Sequence, residues 1–272
     1  MVIAGSDSGG GAGLQADLLA VAALGGHAST VVTALTAQNT LGVAGVWPVP
    51  PEFVAAQFRA VAQDIGLDAV KTGMLPTAAH VRVVAELVAE SVATRRVPVV
   101  VDPVLAASAG GDLAEPAGLE ALKTRLLPLA SLVTPNLAEA QALTGLAVRE
   151  PRDMARAARA LVEMGAGAAL VKGGHLQGEP LDLLYDGRQE YSFSAPRLAN
   201  PHDHGTGCTL ASALATLLAL GWELKQAVER ARLLVRRAIA AGQALGRGRG
   251  PVRALADLEA RLKGEFAPAQ TE

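Results

Sequence analysis

The residues best suited to chemistry fall in short stretches where an apolar run gives way to a helical pattern. The most telling is His204-Gly205-Thr206-Gly207-Cys208-Thr209, which opens a helix expected over Leu210–Leu220. Two glycines let successive backbone N–H groups turn inward at a helix N-terminus. That makes a hole for an anion, or for charge that develops during phosphoryl transfer. Cys208 stands where the helix terminus is expected to lower its pKa and make a thiolate available. A lone cysteine is more often a small buried hydrophobe. Its place inside a Gly-Thr-Gly hole favours the reactive reading.

Polar clusters close four other apolar runs: Thr36-Ala37-Gln38-Asn39-Thr40, Lys71-Thr72-Gly73-Met74, Asp102-Pro103-Val104 and Thr134-Pro135-Asn136. In an open parallel sheet, ligands bind outside the carboxyl ends of the strands, so four polar ends in succession predict one shared site. Asn136 and Glu139 are three apart at a helix start. Their spacing fits a capping pair, and equally an amide and carboxylate that organise Mg²⁺-bound water and phosphate. Lys172-Gly173-Gly174-His175 follows the run Ala168–Val171. A lysine at a buried strand end suits a phosphate contact by a point charge, while His175 is read as structural. Only five of the 24 basic residues are lysines, and Lys71 and Lys172 are two of them.

The loop Gly5-Ser6-Asp7-Ser8-Gly9-Gly10-Gly11-Ala12-Gly13 lies between a strand and a helix. A protease nucleophile loop would need a different fold around it. A Walker A loop needs Lys-Ser/Thr where Leu14-Gln15 stand, and a dinucleotide fingerprint fails at Leu14. There remain a merely structural tight turn and a close-approach loop whose backbone N–H groups meet a small ligand. Asp17, read as lying in the first turn of the next helix, is either a dipole-stabilising acid or a carboxylate that binds an amine or ring nitrogen.

These stretches need a scaffold, and the pattern supplies one. Apolar runs near 1–4, 28–35, 67–72, 97–102, 130–134 and 168–172 alternate with helical spacing over 13–24, 52–64 and 77–92. Continuously apolar strands between helices predict a mainly parallel sheet covered on both faces. Asp186-Gly187 between Leu181–Tyr185 and Glu190–Phe193 predicts a hairpin. No repeat or linker divides the 272 residues, so one domain over 1–264 is expected, with a frayed tail over 265–272. The first strand begins almost at Met1, and the natural start is expected a few residues upstream.

Composition removes several function classes. A formal charge of −2 and 3% aromatics offer neither a basic field nor a stacking platform, so no nucleic-acid partner is expected. One cysteine rules out an intramolecular disulfide or a multi-cysteine zinc site. No run of ~18 apolar residues and no signal-peptide pattern predicts a soluble cytoplasmic protein without a membrane partner.

The segments Ala4–Asp17, Thr33–Thr40, Lys71–Leu75, Val101–Val104, Val133–Ala140, Val171–His175 and His204–Leu210, with Gly246–Val252 beyond them, run in order over nearly the whole chain. Together they resemble the hydroxymethylpyrimidine kinase/phosphomethylpyrimidine kinase family of thiamine biosynthesis, within the ribokinase-like superfamily. The resemblance implies a three-layer α/β/α sandwich with no separate lid domain, and a homodimer. It implies two ATP-dependent phosphorylations, first of 4-amino-5-hydroxymethyl-2-methylpyrimidine and then of its monophosphate. It places Gly5, Asp17, Gln38 and Met74 around the pyrimidine, with Gln38 and Asp17 reading its nitrogens. Asn136, Glu139 and Lys172 would handle ATP and phosphates, and Asp102 and Glu139 would hold Mg²⁺ through water. Gly205, Thr206 and Gly207 would form the anion hole, with Cys208 at the position of the superfamily's catalytic aspartate.

The chain departs from the family pattern twice. Leu105-Ala106-Ala107-Ser108-Ala109-Gly110 lacks a lysine common there, which bears on the second step, and Asp203 replaces a usual threonine. Pyridoxal kinase is the runner-up, since a branch of the family phosphorylates B6 alcohols with the same cysteine. A non-catalytic pyrimidine sensor is the alternative from another class, and intact Lys172, Glu139 and Cys208 argue against it.

Overall fold

A computed structural model describes residues 1–105, 116–174, 176, 178–256 and 258. The expectations for the loop over 106–110, for His175 and for the tail over 265–272 lie outside the described residues. Nine strands form one sheet in the order β3-β2-β1-β4-β5-β6-β7-β8-β9. They are β1 (Val2–Asp7), β2 (Thr30–Asn39), β3 (Gly42–Pro48), β4 (Val70–Thr72), β5 (Val99–Val101), β6 (Leu132–Val133), β7 (Ala169–Gly173), β8 (Leu181–Tyr185) and β9 (Glu190–Ser194). From β2 through β7 every neighbour pair in that order is parallel, while β3, β8 and β9 are antiparallel additions at the two edges. The expected mainly parallel sheet is present, with the hairpin at Asp186-Gly187 as β8–β9.

Alternate residues of the central strands serve opposite faces, as the two-residue period requires. Ile3, Val99, Val101, Val133 and Val171 pack toward α2 (Pro51–Asp64), α3 (Ala78–Arg95), α5 (Leu137–Thr144) and α6 (Pro151–Glu163); α4 (Pro116–Ala121) adds Ala121. Val100, Leu132 and Leu170 pack toward α7 (Thr206–Ala219) and α8 (Leu224–Ala240), and Val2 and Ala4 pack on α1 (Gly13–Ala23). The result is three layers. Every residue of α7 from Thr209 to Leu217 is buried, so this helix is enclosed on all sides, with Thr209, Ser212 and Thr216 the polar members of the run. Each large aliphatic it buries, such as Leu214, contributes about 1.5–3 kcal/mol.

Strand order also fixes where a ligand can sit. The chain leaves β1 for β2 and β3 on one side, then returns to β4 on the other, so β1 is a topological switch point with a crevice at its carboxyl end. One edge differs from expectation. The strand expected to end near residue 35 continues to Asn39 and folds back as β3, so Gln38 lies within a hairpin rather than just past a strand. None of β3 is buried, and Trp47 is 73% exposed; a strand with no core face leaves no alternating signal in the sequence.

Candidate active site

A cavity of about 530 Å³ opens at the carboxyl ends of the parallel strands, against the N-terminus of α7. The polar clusters that close β2, β4 and β5, and the one that follows β6, all contribute to its wall, joined by Lys172 from β7.

At one end, Gly5, Gln38 and Met74 line the wall together. Met74 is held by the Thr33 hydroxyl, which donates to its carbonyl at 2.7 Å, and its methyl occupies the space a Cβ on Gly5 would need. Asp17 is not with them. It lies in the second turn of α1, not the first, and is fully buried beneath the cavity. Lys71 Nζ donates to both its oxygens, at 2.8 and 2.9 Å, and Ser212 Oγ donates at 2.7 Å. Burial raises the Asp17 pKa against those donors, yet three donors on two oxygens serve a carboxylate. Burial likewise works against the Lys71 charge, but Asp17, with Cys208 and Asp102, outweighs it and the pKa of Lys71 is raised. We read the pair as ionised. Asp17 is fully buried and does not line the cavity, so the structure does not place it against a ligand ring, and the expectation is corrected: the cavity meets Lys71 instead.

Of the two readings left open for the glycine loop, the bonds of Gly9, Gly11 and Ala12 fit the structural turn, since these N–H groups go to Asp7. Asp7 Oδ1 accepts from Gly9 at 2.8 Å, and Oδ2 accepts from Gly11 and Ala12 at 3.1 and 2.8 Å. Glycine is required at Gly13 for a different reason: its φ is +55°, and a Cβ there would run into the Gly5 carbonyl.

At the other end, Lys172 Nζ donates to Asp102 Oδ1 at 3.0 Å, and Thr134 Oγ1 donates to the same oxygen at 3.2 Å. Burial works against the Lys172 charge, but Asp102 and Glu139 outweigh it and raise its pKa. Burial pushes Glu139 up to about 7, opposed by Lys172 and assisted by Asp102. Asn136 and Glu139 form a reciprocal capping box on α5, at 2.9 and 2.7 Å, while both still line the cavity. The structural and chemical readings of that spacing therefore coexist.

Gly205 caps α7 with φ +85°, and a Cβ there would strike the Gly11 carbonyl. The Thr206 amide donates to the Asp203 carbonyl at 3.3 Å and the Thr209 amide to Gly205 at 2.9 Å. The amides between them, on Gly207 and Cys208, belong to the first turn and have no helical acceptor. A Cβ on Gly207 would lie 3.4 Å from Lys172 Nζ and 3.8 Å from Asp102 Oδ2, so the hole adjoins the ion pair. Cys208 keeps some exposure at this wall, but crowding by protein dominates its electrostatics. Burial pushes the thiol up to about 12, with Asp17 and Asp102 adding to the rise and Lys71 opposing it. The expected lowering by the helix terminus is thus reversed, because burial disfavours the thiolate more than Lys71 favours it, and Asp17 and Asp102 add to the rise.

Asp203 pairs with Arg249, and its buried Oδ1 has no hydrogen-bond partner among the described residues. The glycine-rich segment that carries Arg249 docks on both sides of the site: Gly248 donates to Thr40 Oγ1 at 3.1 Å, and His204 exchanges backbone bonds with Gly250 and Val252.

A hydrated divalent cation fits this donor set. Asp102 and Glu139 supply two carboxylates, and Mg²⁺ commonly takes one or two, with waters and phosphates completing its shell. Among the described residues no group of three or more His, Cys, Asp and Glu could hold an ion alone.

Sequence reasoning gave Lys71, Asp7 and His204 no role of their own, although each lay in a stretch it singled out. Lys71 had a signal in its place at a polar strand end; Asp7 and His204 meet across 197 positions, which no local pattern reports.

An open α/β sheet with a helix-terminal anion hole beside a half-buried lysine paired with a carboxylate defines a phosphotransferase-type site. Sequence comparison agrees: the phosphomethylpyrimidine kinase family model matches residues 7–253. The chain belongs to that family. It is 53% identical over 252 residues to a hydroxymethylpyrimidine/phosphomethylpyrimidine kinase of Streptomyces coelicolor, covering 93% of this chain and 92% of that one. Among solved structures it is similar to phosphomethylpyrimidine kinase from Clostridium difficile, with TM-score 0.77, 37% identity and coverage of 88% and 97%. It is also similar to Bacillus subtilis pyridoxal kinase in an ADP complex, with TM-score 0.87, 33% identity and coverage of 94% and 97%. Both are ribokinase-like folds.

Proposed function

We propose that this chain transfers the γ-phosphoryl group of ATP to the hydroxymethyl oxygen of 4-amino-5-hydroxymethyl-2-methylpyrimidine, and then a second phosphoryl to the monophosphate, in thiamine biosynthesis. The observation that carries the reading is the junction of the Gly207–Cys208 amides with the Lys172–Asp102 pair at the mouth of a heterocycle-sized cavity. Gly5, Gln38 and Met74 bind the ring. Lys172 and Asn136 hold ATP phosphates, and Asp102 and Glu139 would hold Mg²⁺ through water. Bound there, the cation would neutralise charge on the β- and γ-phosphates. The Gly207 and Cys208 amides, held in place by the turn at Gly205 and Thr206, receive charge on the transferring group and are aimed before the reaction begins. Phosphoryl transfer of this kind rests on positioning and neutralisation, and a Cys208 thiol that stays protonated serves it as part of the cavity wall rather than as the base.

A second reading, phosphorylation of pyridoxal, is favoured by the similarity to pyridoxal kinases. Incubation with Mg·ATP and either alcohol, with products followed by mass, separates them. Mono- then diphosphate of the pyrimidine is expected; pyridoxal phosphate as the favoured product overturns the reading.

Residues 1–264 act as one kinase unit in this reading. Among the described residues no helix is long and apolar enough to cross a membrane, which supports a cytoplasmic enzyme with a small-molecule partner. Leu35 and Trp47 sit opposite each other across the β2–β3 pair, 52% and 73% exposed, which supports a homodimer through that edge. Sedimentation at micromolar concentration tests it.

A further inference from the structure

The side-chain amide of Gln38 lies between two partners: its nitrogen is 3.3 Å from His204 Nε2 and its oxygen 3.3 Å from Thr36 Oγ1. Hydrogen accounting at both ends reverses that placement. A hydroxyl has one proton to give, and Thr36 Oγ1 donates it to the Ser6 carbonyl at 2.9 Å. Toward Gln38 it can only accept. At the other end, His204 Nε2 is 3.1 Å from Asp7 Oδ2. That carboxylate is 3% exposed and already accepts three backbone N–H groups. Burial alone would raise its pKa, but the bonds from His204, Gly9 and Ala12 hold it below the usual value, so it is ionised. An ionised carboxylate accepts only, so Nε2 must carry the proton and give it to Asp7; a protonated Nε2 has no lone pair left with which to accept from an amide NH₂. The NH₂ is thus opposed at His204 and accepted at Thr36, and the amide oxygen belongs on the His204 side. The backbone of Gln38 has no freedom to compensate, because the Ser8 hydroxyl bonds both its N–H and its carbonyl at 2.8 Å.

We infer that His204, anchored by Asp7, is a positioning residue that locks the Gln38 amide one way round and so fixes the order of acceptor and donor offered to the ligand ring. The inference rests on the pyrimidine reading above and deepens it. An aminopyrimidine edge presents an exocyclic NH₂ donor beside a ring-nitrogen acceptor. A pyrimidinone edge presents the reverse, a carbonyl beside a ring N–H. A locked amide pairs with one and opposes donor to donor with the other, whereas a free amide flips to suit either.

Two measurements on the full chain test this. The first is ¹⁵N–¹H correlation of the His204 imidazole at neutral pH without ligand. A proton on Nε2 is expected; a bare Nε2 overturns the inference. The second is the ratio of kcat/KM for the 4-amino substrate to that for its 4-oxo analogue, in the wild type and in His204→Phe and Asp7→Asn. The ratio is expected to fall roughly tenfold or more in both variants, chiefly through KM, since each mispaired polar group costs a factor of that order. An unchanged ratio in a folded variant overturns the inference, because loss of mere structural support lowers both substrates alike. If both variants fail to fold, the tautomer decides alone. If the wild type phosphorylates neither analogue, the pyrimidine reading fails separately, and the imidazole spectrum still decides the amide.

Discussion

Lys172 Nζ and Asp102 Oδ1 meet at 3.0 Å beside the bare backbone of Gly207, so the cation and the helix-terminal amides converge on one point from two elements. The anion hole thus has a neutralised neighbour at rest rather than a lone buried charge. An arriving phosphate can share the lysine without first having to order it.

Lys172→Met should lower kcat/KM for ATP by about 10²–10³, the loss that follows removal of one partner from a buried charge pair. It leaves the Asp102 carboxylate facing phosphate uncompensated. Adding Asp102→Asn should recover part of the binding of ATP, measured by calorimetry, but little of the turnover.

With its thiol pKa pushed up to about 12, Cys208 stays protonated across the working range. The pH profile of kcat/KM between about 6 and 9 should therefore keep its shape in Cys208→Ala, because no titration of the thiol falls there. Iodoacetamide at pH 8 should alkylate it roughly 10³-fold more slowly than an ordinary thiol of pKa ~8.5. Rapid labelling would sink this assignment.

Breaking the Lys71–Asp17 pair from one side should cost stability rather than chemistry. Lys71→Met leaves Asp17 buried and unpaired, and urea denaturation should show a loss of about 3–5 kcal/mol. Lys71→Met with Asp17→Leu should be closer to wild type than either single change.

The Asp7 carboxylate is held below its ordinary 3.8, so its contribution to stability is complete above that value. It should fade as pH falls from 3.8 through the lower folded-state value. Asp7→Asn is expected to be less stable than wild type at pH 7, with the difference shrinking below about pH 4. A difference that grows in acid would reverse the assignment.

What the sequence made legible was what neighbouring residues decide between themselves. The Asn136–Glu139 box, the Asp186-Gly187 hairpin and the glycine cap on α7 each follow from side chains within a few positions. So does the sheet, since Val99, Val100 and Val101 announce a strand buried on both faces. The partners of Asp17 were hidden, because whether a helix carboxylate faces a ligand or Lys71 depends on how α1 rotates against β4, 54 positions away. The Cys208 thiol was misread for a similar reason: the helix terminus is visible locally, while the packing that buries the thiol, and the carboxylates of Asp17 and Asp102 that add to it, arrive from other elements. The β3 strand left no pattern because it buries nothing.

The docking of Gly248 on Thr40 and of His204 between Gly250 and Val252 ties the turn after β2 and the approach to α7 to one short segment. That segment works as a buckle. Two parts of the chain that share no stretch of backbone are drawn together by it, and whatever loosens it loosens both at once.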